Sequence, residues 1–160
     1  MPSHELDAID LRIMAALQRD ARMSNIEISQ AAQLTPPTTL RRRRTLEEMG
    51  YILGYRVQLD PKKLGFEVMA FVFVGLASQS DNDIKAFEKA VQLWVPVREC
   101  YTLTGETNFL LMCVAKSLLS LQCFIADVVM RTASVQTVKT TFVTHIAKQA
   151  PEVPLAQVIA

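Results

Sequence analysis

The stretch Thr35-Pro-Pro-Thr-Thr-Leu-Arg-Arg-Arg-Arg-Thr-Leu-Glu-Glu-Met49 decides the reading of this chain. Thr35 suits a helix N-cap, and Pro36 suits the first helical position, where its missing N–H costs nothing. Gly50 is placed to end the helix after Met49. Spacing predicts that Leu40, Arg43 and Leu46 share one face, with Thr38, Thr39, Arg41, Arg42 and Thr45 spread over the exposed sides. A DNA major groove accepts one α-helix, in which arginine donates bidentately to guanine or pairs with phosphate. The helix N-terminus, with its free N–H groups, also suits phosphate. Taken alone, four arginines followed by Glu47 and Glu48 read more often as a solvated face. The residues upstream tip the balance.

Ser24 followed by Glu27 is a capping box, in which each residue satisfies an orphan amide of the other. It opens a short helix with Ile28, Ala31 and Ala32 as its apolar face, and a turn of a few residues then leads to Thr35. Before it, Leu6, Ile9, Ile13, Ala16 and Leu17 recur at helical spacing as far as about Asp20. Three helices with a tight turn between the second and third make a helix-turn-helix. Tyr51 to Leu59 is β-prone and predicts one or two short strands serving as wing and linker, broken at Asp60 and Pro61. The expected division is 1–50 for DNA binding, 51–65 for wing and linker, and 66–160 for a second domain.

That second domain alternates strands and helices. Phe66 to Leu76 is a strand; Ser80 caps a helix whose Ile84, Phe87, Val91 and Trp94 share a face. Val97 to Thr104 and Asn108 to Ala115 form a hairpin around Gly105 to Thr107. Ser117 caps a further helix, with Leu118, Leu121, Phe124, Ile125, Val128 and Val129 facing inward, and Val135 to Ile146 is the last strand. The order is the split βαβ, or ferredoxin-like, arrangement, so the fold class is α+β. Two helices cover one sheet face. The other, equally apolar, is expected to bury itself against a second copy of the chain.

Composition narrows the partners. The chain has 160 residues, half of them hydrophobic, and a formal net charge of +1, which does not suit a general nucleic-acid coat. Between Met1 and Asp60 eight arginines face eight acids, so the run Arg41 to Arg44 is a local feature on a neutral background. Cys100, Cys113 and Cys123 have no CxxC spacing, and neither His4 nor His145 is near a cysteine in sequence. Buried free thiols and no metal site are expected. Acidic residues in the first helical pattern do not suit a signal peptide, and the apolar run Val68 to Ala77 is about half a membrane span, so no membrane association and a cytoplasmic, nucleoid-associated location are expected. No cofactor is expected either. No catalytic Ser-His-Asp or Cys-His set and no phosphate-cradling glycine loop is visible.

An ordered series of motifs resembles the Lrp/AsnC (feast/famine) family of transcription regulators over almost the whole chain. It comprises Leu6-Asp-Ala-Ile-Asp-Leu-Arg-Ile13, Gln18-Arg-Asp-Ala-Arg22, Ser24-Asn-Ile-Glu-Ile-Ser29 and Leu34-Thr-Pro36. It continues through Leu40, Arg42, Leu46-Glu47, Gly50-Tyr-Ile52 and Gly54-Tyr55 to Glu99-Cys100, Thr104-Gly105 and Asn108-Phe-Leu-Leu111. The resemblance implies a winged or linked helix-turn-helix on double-stranded DNA, a ligand-sensing domain, and homodimers that often assemble as tetramers of dimers. It also implies a small amino-acid effector held near the hairpin. The candidate DNA-binding residues are Ser24, Asn25, Thr35, Pro37, Thr38, Thr39, Arg41, Arg42, Arg44 and Thr45. The effector candidates, carried over by position, are Tyr101, Thr102, Thr104, Gly105, Glu106 and Asn108, with Gln136, Thr140 and Phe142 from the last strand. Gly105 would let backbone approach a ligand carboxylate, and Glu106 would hold an ammonium group. A plain polar turn has the same signature.

Three positions depart from the family pattern. Arg43 stands where a β-branched apolar residue is usual, Asn108 where Asp is common, and Ala133-Ser134 where Pro-Gly is usual. Two rival functions are an effector-independent nucleoid-organising protein and a haem-pathway decarboxylase. The second would need more than the one plausible ring that His145 offers.

Overall fold

In a computed structural model the described residues are 6–150 and 153–158. They divide into two compact units, 6–58 with 149–150 and 153–158, and 59–148. The sequence boundaries put the C-terminal residues with the second domain, whereas their contacts are with the first. The reason is apolar: Leu155, in a short 3₁₀ turn at Leu155–Gln157, packs on the core of the first unit.

The first unit has three helices, α1 (Ala8–Arg19), α2 (Asn25–Ala32) and α3 (Pro36–Glu48). Helix α1 starts with a capping box the sequence reading passed over. The Asp7 carboxylate accepts from the Ile9 and Asp10 amides, and Asp10 accepts from the Asp7 amide. The expected Ser24–Glu27 box is present on α2, with the Ser24 amide donating to Glu27 Oε2 at 2.6 Å. Gln33 takes a left-handed conformation (φ 58°), and the Leu34 amide closes back on the Ser29 carbonyl at 2.9 Å. That closure makes the turn into α3 tight. Leu11, Ile13, Met14, Leu17, Ile28, Ala32 and Leu46 form the core, while Ala31, expected inside, is exposed.

The residues 51–60 form no strand. A strand exists only when its backbone groups are paired in a ladder, and among the described residues no ladder includes this segment. Tyr51 and Ile52 instead donate their amides to the Leu46 carbonyl and close the end of α3.

The second unit is a four-stranded antiparallel sheet in the order β2-β3-β1-β4, as the ferredoxin-like reading required. Its strands are β1 (Val68–Leu76), β2 (Val97–Thr102), β3 (Phe109–Ala115) and β4 (Val135–Phe142), with helices α4 (Asp81–Val91) and α5 (Leu118–Phe124). Alternate residues of β1 and β3 (Ala70, Val72 and Val74; Phe109, Leu111 and Cys113) are buried in the core with Phe87, Val91, Leu121 and Val129. Phe87 stacks on Phe109 with ring centres 4.4 Å apart and meets Trp94 edge-on at 5.4 Å. After Phe124 the chain continues as a π-helix, Ile125–Val129, closed by the Met130 amide on the Ile125 carbonyl. This wider turn resets the face, so Val128, expected inside, is exposed; Leu118, at the start of α5 and also expected inside, is exposed as well. The opposite sheet face carries Phe71, Phe73, Leu110, Met112 and Val114, all half-buried.

Candidate functional site

The arginine run divides in two because α3 turns about 100° per residue. Thr39 and Leu46 are fully buried, and they define the inward face. Leu40 lies roughly 120° from Leu46 around the axis. The expected shared face of Leu40, Arg43 and Leu46 is therefore not formed, and Leu40 is exposed. Pro37, Leu40, Arg41, Arg44, Thr45 and Glu48 line one shallow outward groove.

Arg42 points the other way. Its Nη1 donates at 2.8 Å to both Asp7 Oδ2 and Asp10 Oδ1, and Asp10 is fully buried. Hydrogen bonding to Asp10 raises the guanidinium further above its ordinary value despite partial burial. The Asp10 amide, with help from Arg42, holds the Asp7 carboxyl below its usual range. Arg42 was expected on the DNA face; here it is an internal tie between α3 and α1. The signal that could have found it is the Asp7–Asp10 spacing, which sets two carboxylates side by side at the start of α1.

Arg43 is also engaged. Its Nε donates to Glu47 Oε1 at 2.9 Å, the same oxygen accepts from Tyr55 Oη at 2.7 Å, and the guanidinium lies 5.3 Å from the Tyr55 ring centre. Arg41 and Arg44 are exposed and form no ion pair among the described residues.

The other DNA candidates divide similarly. Thr39 is buried, with its hydroxyl donating to the Thr35 carbonyl at 3.1 Å, so it is removed from the contact face. The Thr35 and Thr38 hydroxyls bond each other at 2.9 Å at the start of α3, and the Thr45 hydroxyl donates back to the Arg41 carbonyl at 3.1 Å. Ser24 is exposed at its cap. Asn25 Nδ2 donates to the Pro36 carbonyl at 2.7 Å and fastens the start of α2 to the start of α3. Its Oδ1 is buried without a hydrogen-bond partner among the described residues.

The effector candidates do not all converge. Strands β2 and β4 are the two outer strands of the sheet, roughly 14 Å apart at three strand spacings. Tyr101 pairs with Leu110 on the face away from the helices, and its hydroxyl donates to Glu99. Thr102 pairs with Phe109 on the helix face and reaches Glu88 at 3.3 Å. Thr140 and Phe142, opposite Val72 and Ala70, lie at the far edge. Asn108 is almost wholly buried, with Oδ1 accepting from the Leu76 amide at 2.7 Å, so it secures the fold of the hairpin base. The turn itself is longer than expected, running from Leu103 to Asn108 and closed by the Leu103 amide on the Asn108 carbonyl.

Thr104, Gly105 and Glu106 remain exposed at the hairpin tip, where Gly105 holds a φ of 116° that favours glycine. The tip lies beside β4: a Cβ built on Gly75 would come within 2.3 Å of Thr137 Oγ1 and 3.8 Å of the Glu106 carbonyl oxygen. Gln136, exposed at the β4 irregularity, is next to Thr137. Gly75 and Thr137 were absent from the sequence reading because neither residue type carries a signal by itself. Ser134, in left-handed backbone, takes up the departure from Pro-Gly by donating its hydroxyl to Asp83 near the start of α4.

No cluster of metal-ligating side chains occurs among the described residues, and none of their helices is long and apolar enough to cross a membrane. Burial pushes the Cys113 thiol up to about 12 and the Cys100 thiol up to about 11. Cys123, expected to be buried, is exposed. His145 is exposed, and His4 lies outside the described residues.

Comparison with known proteins bears on both units. Residues 6–52 match the family profile described as winged helix-turn-helix DNA-binding, and residues 69–153 match that of the Lrp/AsnC ligand binding domain. A leucine-responsive regulatory protein of Rhizobium meliloti is 42% identical over 151 residues, covering 94% of this chain and 97% of its own. The Bkd operon transcriptional regulator of Pseudomonas aeruginosa is 36% identical, covering 86% and 90%. Among solved structures, a transcriptional regulator of Neisseria meningitidis in complex with L-methionine superimposes with a TM-score of 0.91 at 29% identity, covering 96% of this chain and 99% of that one.

Proposed function

The chain belongs to the Lrp/AsnC family of transcription regulators, and on that premise we propose that it lays α3 in the DNA major groove as a homodimer and adjusts its grip to a small amino acid. It is a DNA-binding regulator and not an enzyme, as its relatives are. The observation that carries the docking mode is the outward groove of α3, where Arg41 and Arg44 are exposed and form no ion pair among the described residues, beside Pro37, Thr45 and Glu48. Thr38 and Ser24, at helix N-termini, lie where phosphate is favoured. The apolar second sheet face supports self-association, since Phe71, Phe73, Leu110, Met112 and Val114 would gain burial against a copy of themselves. A location in the cytoplasm with the nucleoid accords with a DNA ligand.

For the effector we favour the exposed hairpin tip, Thr104, Gly105 and Glu106, because the Glu106 carbonyl lies near Gly75 and Thr137; Gln136 precedes Thr137 on β4. Tyr101, Thr102, Thr140 and Phe142 would join it only through contacts made by another copy. The N. meningitidis relative was solved with L-methionine, which supports an amino acid as the ligand class.

A gel shift on DNA from upstream of the protein's own gene, against scrambled DNA at equal salt, tests this reading. The expected result is a specific shift that changes when L-leucine, L-methionine or a pool of amino acids is added. A shift indifferent to sequence and to amino acids would favour the nucleoid-organising alternative. Within the same assay, Arg41→Ala and Arg44→Ala are each expected to weaken binding and to reduce the slope of log affinity against log salt by about 1 for each phosphate no longer neutralised. An unchanged slope in both variants would remove them from the interface. Glu106→Ala is expected to leave basal DNA binding intact and raise the amino-acid concentration needed for a response by about tenfold, the worth of one charge-assisted hydrogen bond.

A further inference from the structure

The cluster around Glu47 has a role beyond holding α3 together. Glu47 sits in the last turn of α3, Arg43 one turn before it, and Tyr55 beyond Gly54 in the stretch that leads out of the first unit. One carboxylate oxygen accepts from both Arg43 Nε and Tyr55 Oη, at 2.9 and 2.7 Å, while the guanidinium lies over the Tyr55 ring. The three contacts close a triangle between the DNA-reading helix and the linker. The Tyr51 and Ile52 amides also bond the Leu46 carbonyl, nearer the helix end. Leu53, Val57 and Leu59 are exposed, so packing does little to hold that segment.

An arginine at position 43 is not needed for the core, since Thr39 and Leu46 already fill the inward face. It is not aimed at the groove lined by Pro37, Leu40, Arg41, Arg44, Thr45 and Glu48 either. Its guanidinium is spent on Glu47 and the Tyr55 ring, which fixes where the linker leaves the helix. We propose that Arg43 and Tyr55 clamp Glu47 to hold the recognition helix at a set angle to the linker, and so act as positioning residues for DNA binding rather than as DNA contacts. Any movement of the linker is then carried to the helix that reads the groove, because the clamp spans the last turn and a half of α3. The cluster is exposed enough to water that its loss leaves the helical core whole.

The test uses the full chain with Tyr55→Phe, which removes only the hydroxyl, Arg43→Val, and the double variant. Binding to DNA from upstream of its own gene is titrated over a salt series, with the active fraction taken from stoichiometric titration and the melting temperature recorded. The clamp predicts that each single variant binds about fivefold more weakly, about 1 kcal/mol, with salt slope and active fraction unchanged and the melting temperature at most slightly lower. It also predicts that the double variant is no weaker than the poorer single, because both act through Glu47. A salt slope reduced by about 1 in Arg43→Val would make Arg43 a phosphate contact and overturn the proposal. A lower active fraction and melting temperature with unchanged affinity of the active protein would make the cluster merely structural. Wild-type affinity in Tyr55→Phe would also overturn it. The proposal presupposes that the first unit binds DNA; failure of the wild-type protein to shift DNA would refute that reading, not the clamp alone.

Discussion

Arg42→Ala is expected to destabilise the first unit by about 2–4 kcal/mol, although Arg42 lies in the middle of the arginine run. Removing one partner of a buried ion pair costs roughly 3–5 kcal/mol, because the other charge stays behind in a site it cannot leave. Here the remaining carboxylate is Asp10, which is fully buried, while the Arg42 side chain retains 26% exposure and warrants the lower range. The loss should appear in urea unfolding followed by far-UV circular dichroism, which reports mainly on helices. Weaker DNA binding would then follow from a smaller folded population, with the salt slope of the folded fraction unchanged. Wild-type stability with a reduced salt slope would return Arg42 to the DNA face. The same site has a pH signature. The Asp7 carboxyl lies below its ordinary value in the folded chain, so its contribution is present above the unfolded pKa of about 4 and is lost as pH falls through the lower folded value.

Phe87→Ala is expected to cost the second unit about 3–5 kcal/mol, in the range for emptying a buried aromatic position. Phe87 is 1% exposed and stands at the centre of the aromatic cluster, stacked on Phe109 and edge-on to Trp94. Its neighbours are held by the sheet and by α4, so the space cannot close without moving a strand. Trp94 is the only tryptophan, and its fluorescence therefore follows this unit alone. The fluorescence transition should move to markedly lower urea, while the helical transition of the first unit moves little. A shift of both transitions by the same amount would mean that the two units unfold as one. A fluorescence change of under 1 kcal/mol would mean that the cavity collapses more freely than the sheet geometry implies.

Arg41 and Arg42 are neighbours in sequence but not in surroundings: Arg41 is exposed, whereas Arg42 is held by Asp7 and Asp10. Capping residues are local: Ser24 needs only Glu27 three positions on, and the box formed as expected. Strand alternation is local too, and the buried set Phe109, Leu111, Cys113 and Ala115 follows it residue by residue. Adjacent arginines, by contrast, point in directions about 100° apart, and their partners are set by another helix. Arg42 meets Asp7 and Asp10 more than thirty residues earlier in the chain, and no spacing within α3 announces that. Asn108 is a similar case. The family resemblance carried it over as an effector candidate, but its Oδ1 accepts from the Leu76 amide on β1.

The sequence by itself determined the class of protein and the order of its elements, because amphipathic periodicity, caps and turn residues act within a few positions of each other. It also determined the family, through motifs spread over both units. Only the tertiary structure decided which arginines of the run are tied to carboxylates and which are exposed, that residues 51–60 form no strand within a single chain, and that the C-terminal residues join the first unit through Leu155. It likewise placed Thr140 and Phe142 on the edge strand opposite to the one that holds Tyr101 and Thr102. Those outcomes depend on which carboxylate, amide or apolar side chain arrives from a distant part of the chain, and that is a property of packing rather than of local pattern.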